Sequence, residues 1–380
     1  MEDIAQTRNA GPVLVVGGGI GGMALALLLR RAGRAVDLVE ADPAWRVYGA
    51  GISITGPTFR AFKRLGLLSQ LRAEGFFIEE GARICMPSGE VVAELPSHPI
   101  EADLPDAGGI MRPKLHEILS SAVRRSAVDV RLGVTVTDWD EDATAVTVST
   151  SDGEARRYEL VVAADGVFST TRKRLFPDAP EPAYTGQYCW RVVADRPAHI
   201  DRPHFYMAGP VTAGLMPVSE TRMYMWLLEA RHERIWLDES DLADRLKAIM
   251  APFGGDLGRL RDGLGQGEEI NARPLEAVLL PRPWYKGRII LIGDAAHATT
   301  PHLASGAGIA VEDALVLSEL LASTPSVEDA FEAFMERRFE RCRLVVENSI
   351  AIGRMQQTAA SPDALKTLMQ TSQAALVADI

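Results

Sequence analysis

The sequence predicts an α/β protein: a mainly parallel sheet flanked by helices, interrupted by a lobe with a mixed or antiparallel sheet and completed by C-terminal helices. Three observations predict it. Short apolar runs at Pro12–Val16, Leu160–Ala164 and Arg288–Ile292 stop at glycine or an Asp-Gly pair, as strands buried on both faces do. Residues 183–280 switch to alternating segments, such as His204–Met207 and Met223–Glu229, broken by glycine and proline. Residues 309–322 and 328–351 then carry long helical patterns.

In chain order, Pro12–Val16 is the first strand. Gly17-Gly18-Gly19-Ile20-Gly21-Gly22 follows, then helix formers from Met23 to Arg31 with Gly33 placed to end them. Ala35–Glu40 is the second strand and closes a β-α-β unit. Residues 59–73 put Phe59, Phe62, Leu65 and Leu68 on one helical face, and 112–125 form a further helix. Val128–Leu132, Val134–Val136 and Ala145–Thr150 read as short strands, the last turned by Ser151-Asp152-Gly153.

Composition narrows the function. A chain of 380 residues suggests two or three lobes at about 100–200 residues each. With 47% apolar residues it can bury a core, which excludes wholesale disorder. A net charge of −11 argues against a nucleic-acid partner. The longest apolar run, Met23–Leu29, falls far short of the ~20 residues of a membrane span. Cys85, Cys189 and Cys342 are scattered and form neither a disulfide framework nor a metal cluster, so no metal is expected. The start, Met1-Glu2-Asp3-Ile4, lacks the features of a secretory signal, and a cytoplasmic enzyme is expected.

Gly17, Gly19 and Gly22 fit G-x-G-x-x-G between a strand and a helix. The first glycine permits the tight turn, the second lets a pyrophosphate reach the backbone, and the third packs helix on strand. The phosphates would face the free N–H groups of a helix start. Glu40, 18 residues after Gly22, ends the second strand where a carboxylate binds ribose hydroxyls. This predicts a dinucleotide site.

Two later segments complete a pattern. One is Val161-Val162-Ala163-Ala164-Asp165-Gly166-Val167-Phe168-Ser169, followed by Arg172. The other is Gly293-Asp294-Ala295-Ala296-His297, then Pro301, Gly306-Ala307-Gly308 and Glu312-Asp313-Ala314. With the first fingerprint they resemble the three signatures of the class A flavoprotein monooxygenases, the single-component aromatic hydroxylases with a p-hydroxybenzoate hydroxylase-like fold. The resemblance covers about residues 12–350. It implies bound FAD in a Rossmann-like domain, NADH or NADPH as a transient co-substrate, and O2. The implied reaction hydroxylates a small aromatic or N-heteroaromatic compound through a flavin C4a-hydroperoxide. The implied boundaries are FAD-binding parts at 12–82, 102–183 and 279–350, substrate-lobe parts at 83–101 and 184–278, and a helical tail at 351–380. A homodimer is left open.

The resemblance also implies site residues. Asp294 maps to the acid at the flavin ribityl and pyrophosphate region, and Asp165 to the one supporting FAD and the nicotinamide. Arg112 matches an arginine near the cofactor, and Val136 a strand position edging the adenine. Gly49-Ala50-Gly51-Ile52, with Arg46 before it, matches the segment along the isoalloxazine, and Gly306 and Ala307 lie in the loop approaching the ring. Each has a plainer reading: Asp165 as a helix cap, Arg112 as a surface ion-pair partner, Val136 as a core valine, His297 as a structural histidine. Ala304-Ser305-Gly306 replaces the usual Gly-Gln-Gly, and Pro57 stands where an asparagine is common.

For the substrate lobe, Tyr188-Cys189-Trp190-Arg191 and Leu215–Ser219 resemble strands of alkylquinolone and urate hydroxylases. Tyr224 falls where the urate enzymes carry an active-site tyrosine, and Thr212 where they carry a urate-binding arginine. The expected substrate contacts are Tyr188, Trp190, Tyr206, Thr212 and Met216. The expected catalytic residues are His302, Tyr224 and Pro301, with Tyr206 and His204 as further candidates for a hydrogen-bonding base. A flavin oxidase and a non-catalytic FAD- or NAD-binding sensor stand as alternatives.

Overall fold

The computed structural model describes residues 11–47, 49–208, 211–235, 237–265, 267–358 and 360–380. Its core sheet has six strands in the order Tyr285–Lys286, Ile289–Leu291, Leu160–Ala163, Val13–Val16, Val36–Glu40 and Asp129–Leu132. All neighbours run parallel except the first pair. Alternation explains the unbroken apolar runs. Val13 and Val15 join the main core with helices Ile20–Arg31, Arg112–Arg125 and Gly306–Ser323. Leu14 and Val16 meet Val146, Val148 and Tyr158 of a three-stranded antiparallel sheet on the other side. Both faces are covered, so both must be apolar.

Two local expectations are corrected. The helix expected over 59–73 is two helices, Gly56–Arg64 and Leu68–Glu74. Gly66 between them takes φ 74°, the left-handed conformation that ends a helix. The strand expected at Val134–Val136 instead starts at Val136 and runs to Glu141.

The second lobe is a seven-stranded sheet in the order Ile270–Ala277, Ala183–Asp195, Arg222–Ala230, Val211–Pro217, His204–Ala208, Ala82–Cys85 and Val91–Leu95. Its neighbours are antiparallel except His204–Ala208 with Ala82–Cys85. One face carries Tyr188, Trp190, Leu215 and Met225, which pack on Leu246, Met250, Phe253 and Leu257 in and around helices Leu242–Ile249 and Gly255–Gly263. The opposite face, with Gln187, Cys189, Arg191, Thr212, Met216 and Tyr224, looks toward the first lobe. A small sheet of Gly51–Thr55, Ala107–Met111 and Phe76–Ile78 meets that face, where Gly109 admits Pro217 and Met216. The helix Val327–Gln357 crosses from the core to strand Ala183–Asp195. Helix Pro362–Val377 follows it. Among the described residues, no helix is long and apolar enough to cross a membrane.

Candidate active site

The first fingerprint is built by backbone clearance. Gly17 has φ 104°, and a Cβ there would lie 2.4 Å from the Ala164 carbonyl oxygen. A Cβ on Gly22 would lie 2.0 Å from the Gly17 oxygen. At Gly19 no atom lies within 4 Å of that position, so the start of helix Ile20–Arg31 is open to an incoming group. That helix start has no side-chain cap, which leaves N–H groups for a phosphate. Beneath it, Glu40 accepts hydrogen bonds from the Gly18 N–H at 2.7 Å and the Asp42 N–H at 2.8 Å. The glycines therefore fit a dinucleotide. Gly22→Ala must push helix from strand, and retained FAD should fall at least about tenfold, a change worth ~1.4 kcal/mol; flavin absorbance after desalting checks it.

Asp165 follows the strand Leu160–Ala163. It accepts from Ser169 Oγ at 2.5 Å, from Thr171 Oγ1 at 2.9 Å and from the Thr171 N–H at 3.0 Å. Its carboxylate thus ties the Asp-Gly turn to helix Thr170–Leu175, in keeping with the cap reading. Arg172, buried, donates to the carbonyls of Ala295 at 2.8 Å and Val167 at 2.7 Å. It joins the two later motifs directly.

The Gly-Asp motif hangs on a buried charge network. Asp313 accepts from the Gly293 N–H at 2.9 Å and from Arg338 Nε at 2.8 Å, His297 Nε2 lies 2.6 Å away, and Cys342 Sγ approaches at 3.8 Å. None of the three side chains is more than 1% exposed. Burial works against Asp313's charge, but His297 and Arg338 hold its pKa down at about 2. Burial likewise opposes a charged His297, yet the contacts with Cys342 and Asp313 raise its pKa well above the ordinary value. His297, Asp313 and Cys342 bring three ligand types within 4.8 Å. Arg338 already supplies a cation at that point, while His297 Nδ1 is left without a hydrogen-bond partner.

Asp294, next to Gly293, is exposed. Burial of the carboxylate against the surrounding protein raises its pKa, while His297 and Arg112 pull it down. Arg112 begins helix Arg112–Arg125 and is half-buried. Burial lowers its pKa and the facing Arg191 lowers it further, against Tyr224, Asp294 and Cys189. Its N–H donates to the Ala50 carbonyl at 3.1 Å, and its side chain passes 3.6 Å from the Cβ position of Gly49. A Cβ on Gly51 would sit 2.2 Å from the Tyr224 ring. Tyr224 Oη lies 2.6 Å from Ser53 Oγ, and burial pushes its pKa up, so it is a neutral phenol. Gly51, Arg112, Tyr224, Arg191 and Asp294 thus converge.

Pro301 is exposed and opens the turn Pro301–Leu303. His302 Nδ1 lies 2.8 Å from Thr300 Oγ1, and burial lowers its pKa to about 4. Ala304 takes the left-handed φ of 48°, a conformation glycine adopts freely. Gly306 and Ala307 start the helix Gly306–Ser323 and are half-buried. Arg46 extends to solvent and pairs with Asp42 at 3.1 Å. Val136 packs on the cluster containing Val16 and Val161.

Three expected substrate contacts are misplaced. Tyr188, Trp190 and Tyr206 are at most 1% exposed in the core on the far face of the sheet. Tyr188 donates to the Ile235 carbonyl and Trp190 Nε1 to Glu229 at 2.9 Å, so their polar ends are used internally. His204 is buried on that face too, beside Arg83. Thr212 and Met216 lie on the inward face with Tyr224. Arg172 and Arg191 stood in the quoted motifs without an assigned role, and Ser53 and Gln187 were not singled out. The period of two in Ala183–Asp195 pairs Cys189 with Arg191 and Gln187, which was the available signal.

Known proteins place this arrangement. Residues 11–349 match the FAD binding domain family. The aurachin C monooxygenase/isomerase of Stigmatella aurantiaca is 31% identical over 348 residues, 91% of this chain and 89% of the relative. The 2-heptyl-3-hydroxy-4(1H)-quinolone synthase of Pseudomonas aeruginosa is 30% identical over 352 residues, with the same shares covered. The crystal structure of Klebsiella pneumoniae HpxO with FAD and uric acid has the same fold, with a TM-score of 0.82 at 24% identity over 99% of this chain and 97% of that one. On this family match, and on a cleft whose glycines and open Asp294 suit the cofactor, the chain belongs to the FAD-binding class A flavoprotein monooxygenases of the aromatic hydroxylase type.

Proposed function

We propose that this chain hydroxylates an aromatic or N-heteroaromatic small molecule, consuming NADH or NADPH and O2. The observation that carries this is where the inward sheet face meets the first lobe: Tyr224 lies against Gly51 and 2.6 Å from Ser53, the Arg112 side chain passes Gly49, and Arg191 shares that face. An oxidase or a sensor has less support, because the similar chains are monooxygenases and hydroxylases.

Gly17, Gly19, Gly22 and Glu40 would hold the adenosine and pyrophosphate end of FAD, with Val136 at the adenine and Arg46 and Asp165 near by. Asp294 would take the ribityl chain, and Gly51, Gly306 and Ala307 would border the ring. When bound and reduced, FAD supplies the O2 activation that puts one oxygen on the substrate ring. The balance is ring C–H, O2, NAD(P)H and H+ giving ring C–OH, NAD(P)+ and water. The chain's own groups set the electrostatics. Arg112 and Arg191 favour negative charge developing beside them. Neutral His302, its pKa lowered by burial to about 4, could accept a hydrogen bond from a substrate hydroxyl or N–H at neutral pH. Tyr224 orients through Ser53, and Thr212 and Met216 line the inward face beside it.

NADH and NADPH oxidation by the FAD-loaded chain, with a panel of phenols, quinolones and pyridines, is the test. At least one compound should stimulate oxidation several-fold. No stimulation across the panel would move the weight to the oxidase or sensor.

A further inference from the structure

Strand Ala183–Asp195 breaks its ladder with strand Ile270–Ala277 near its start. Tyr184 pairs with Glu276 and Tyr188 with Pro274, so Thr185, Gly186 and Gln187 stand opposite Leu275 alone. A bulge of this kind bends the strand away from its partner. Gly186 makes it possible: its φ is 84°, and a Cβ there would lie 2.5 Å from Gln357 Oε1 of helix Val327–Gln357. Gln357 Nε2 donates to the carbonyls of Thr185 and Gly353, both at 3.1 Å, which ties the bulge to the helix. At this junction lies a cavity of about 380 Å³, whose walls include Ala183, Tyr184, Ile350, Arg354 and His232. None of the residues assigned above to FAD or to the substrate lines it.

The walls are of two kinds. Tyr184 Oη donates to the Arg231 carbonyl at 2.7 Å, so the polar end of that side chain is used and its ring joins Ala183 and Ile350 as apolar surface. Arg354 and His232 are exposed, and among the described residues no hydrogen bond or ion pair engages either side chain. Acids on the flanking strands are committed elsewhere: Glu276 pairs with Arg234 at 3.0 Å and Glu229 with Arg231 at 2.7 Å. Apolar walls with a few polar groups, around about 300–1,000 Å³, are the form that small-molecule sites take. An arginine fork matches a carboxylate in geometry and charge. We propose that this cavity is a second binding site, for a small organic carboxylate with an apolar body. The carboxylate meets Arg354 and His232, and the body packs on Tyr184 and Ile350. The site is independent of the hydroxylase reading. It joins the helix whose Arg338 anchors Asp313 to the strand that carries Arg191, so an occupant braces the two against each other.

The test uses the full FAD-loaded chain, with octanoate as the probe and octanamide as its neutral match. Octanoate has no ring to hydroxylate, and the flavin absorbance reports any entry into the FAD cleft. Calorimetry should show octanoate binding that leaves the flavin absorbance unchanged, and saturating octanoate should raise the melting temperature. Octanamide should bind at least about fivefold more weakly, the step expected of one partly exposed charge-assisted contact. Arg354→Gln should weaken octanoate by at least about the same factor and leave octanamide as it was. His232→Gln should weaken octanoate in the same direction, and it decides alone if Arg354→Gln does not fold.

A wild type that does not bind octanoate, or binds it no more tightly than octanamide, overturns the proposal. So does octanoate binding that both variants keep, because the anion then sits elsewhere. Heat that appears only together with a flavin change places the probe in the FAD cleft and overturns it too. The hydroxylase reading fails separately, on absent flavin or on oxidation that no compound stimulates, and neither result bears on the octanoate titration.

Discussion

An Asp313→Ala variant should lose about 3–5 kcal/mol of stability, the usual consequence of removing one partner from a buried ion pair. Arg338 is fully buried and His297 is 1% exposed, and both depend on this carboxylate. Arg338 keeps Glu312 at 2.9 Å, so part of its compensation survives. Among the described residues, no second carboxylate hydrogen-bonds His297, and its Nδ1 is already unpartnered. Urea unfolding of the apoprotein measures the loss, and a change below about 1 kcal/mol would contradict the network's role. The pH dependence has a definite sign. Asp313 is held at about 2, below its ordinary 3.8. Its contribution is therefore present above pH 3.8 and disappears as the pH falls toward 2. His297 is raised above 6.5, so its contribution is present below that pH and fades as the pH climbs through the raised value. The variant should lose both limbs of that dependence.

What could be read from the sequence was what neighbouring residues decide. Gly17 and Gly22 clear each other's backbone and that of Ala164, and a six-residue motif carries most of that constraint. The unbroken run at Val13–Val16 reports two covered faces, whichever elements cover them. Asp165 finds Ser169 and Thr171 within six residues, and the cap was visible beside the cofactor reading. Gly66 also stood in plain view, yet the apolar spacing of Phe59, Phe62, Leu65 and Leu68 outweighed it.

The phase of strand Ala183–Asp195 was different. Its period of two is clear, but both of its faces carry apolar groups. Helices Leu242–Ile249 and Gly255–Gly263 decide which face becomes core, and they lie some distance along the chain. Size favoured Tyr188 and Trp190 as contacts, and size is also what a core selects. The Asp313 network was hidden for the same reason, since its partners sit 16 and 25 residues away. No short motif records such pairings.

Asp294→Ala should show the opposite balance: little change in the apoprotein and a large loss of FAD. Among the described residues, no hydrogen bond or ion pair engages the Asp294 side chain, and it opens to solvent. Surface changes of that kind usually stay within about 0.5 kcal/mol. Yet its position is set at considerable expense, by Gly293 at φ 58° and by the Asp313 anchor on the Gly293 N–H. We propose that a carboxylate so placed, and left without an internal partner, serves the bound cofactor. Hydrogen bonds to a charged group contribute about 1.5–3 kcal/mol, so the FAD dissociation constant should rise roughly 10- to 150-fold. Reconstituting the apoprotein with FAD and following flavin fluorescence reads that constant, alongside the melting temperature without FAD. Asp313→Ala must lower both stability and affinity, because it releases Gly293 as well as two buried charges. Asp294→Ala must lower affinity alone. If the two variants behave alike, Asp294 serves the fold and not the cofactor; if Asp294→Ala binds FAD as the parent does, the ribityl assignment is wrong.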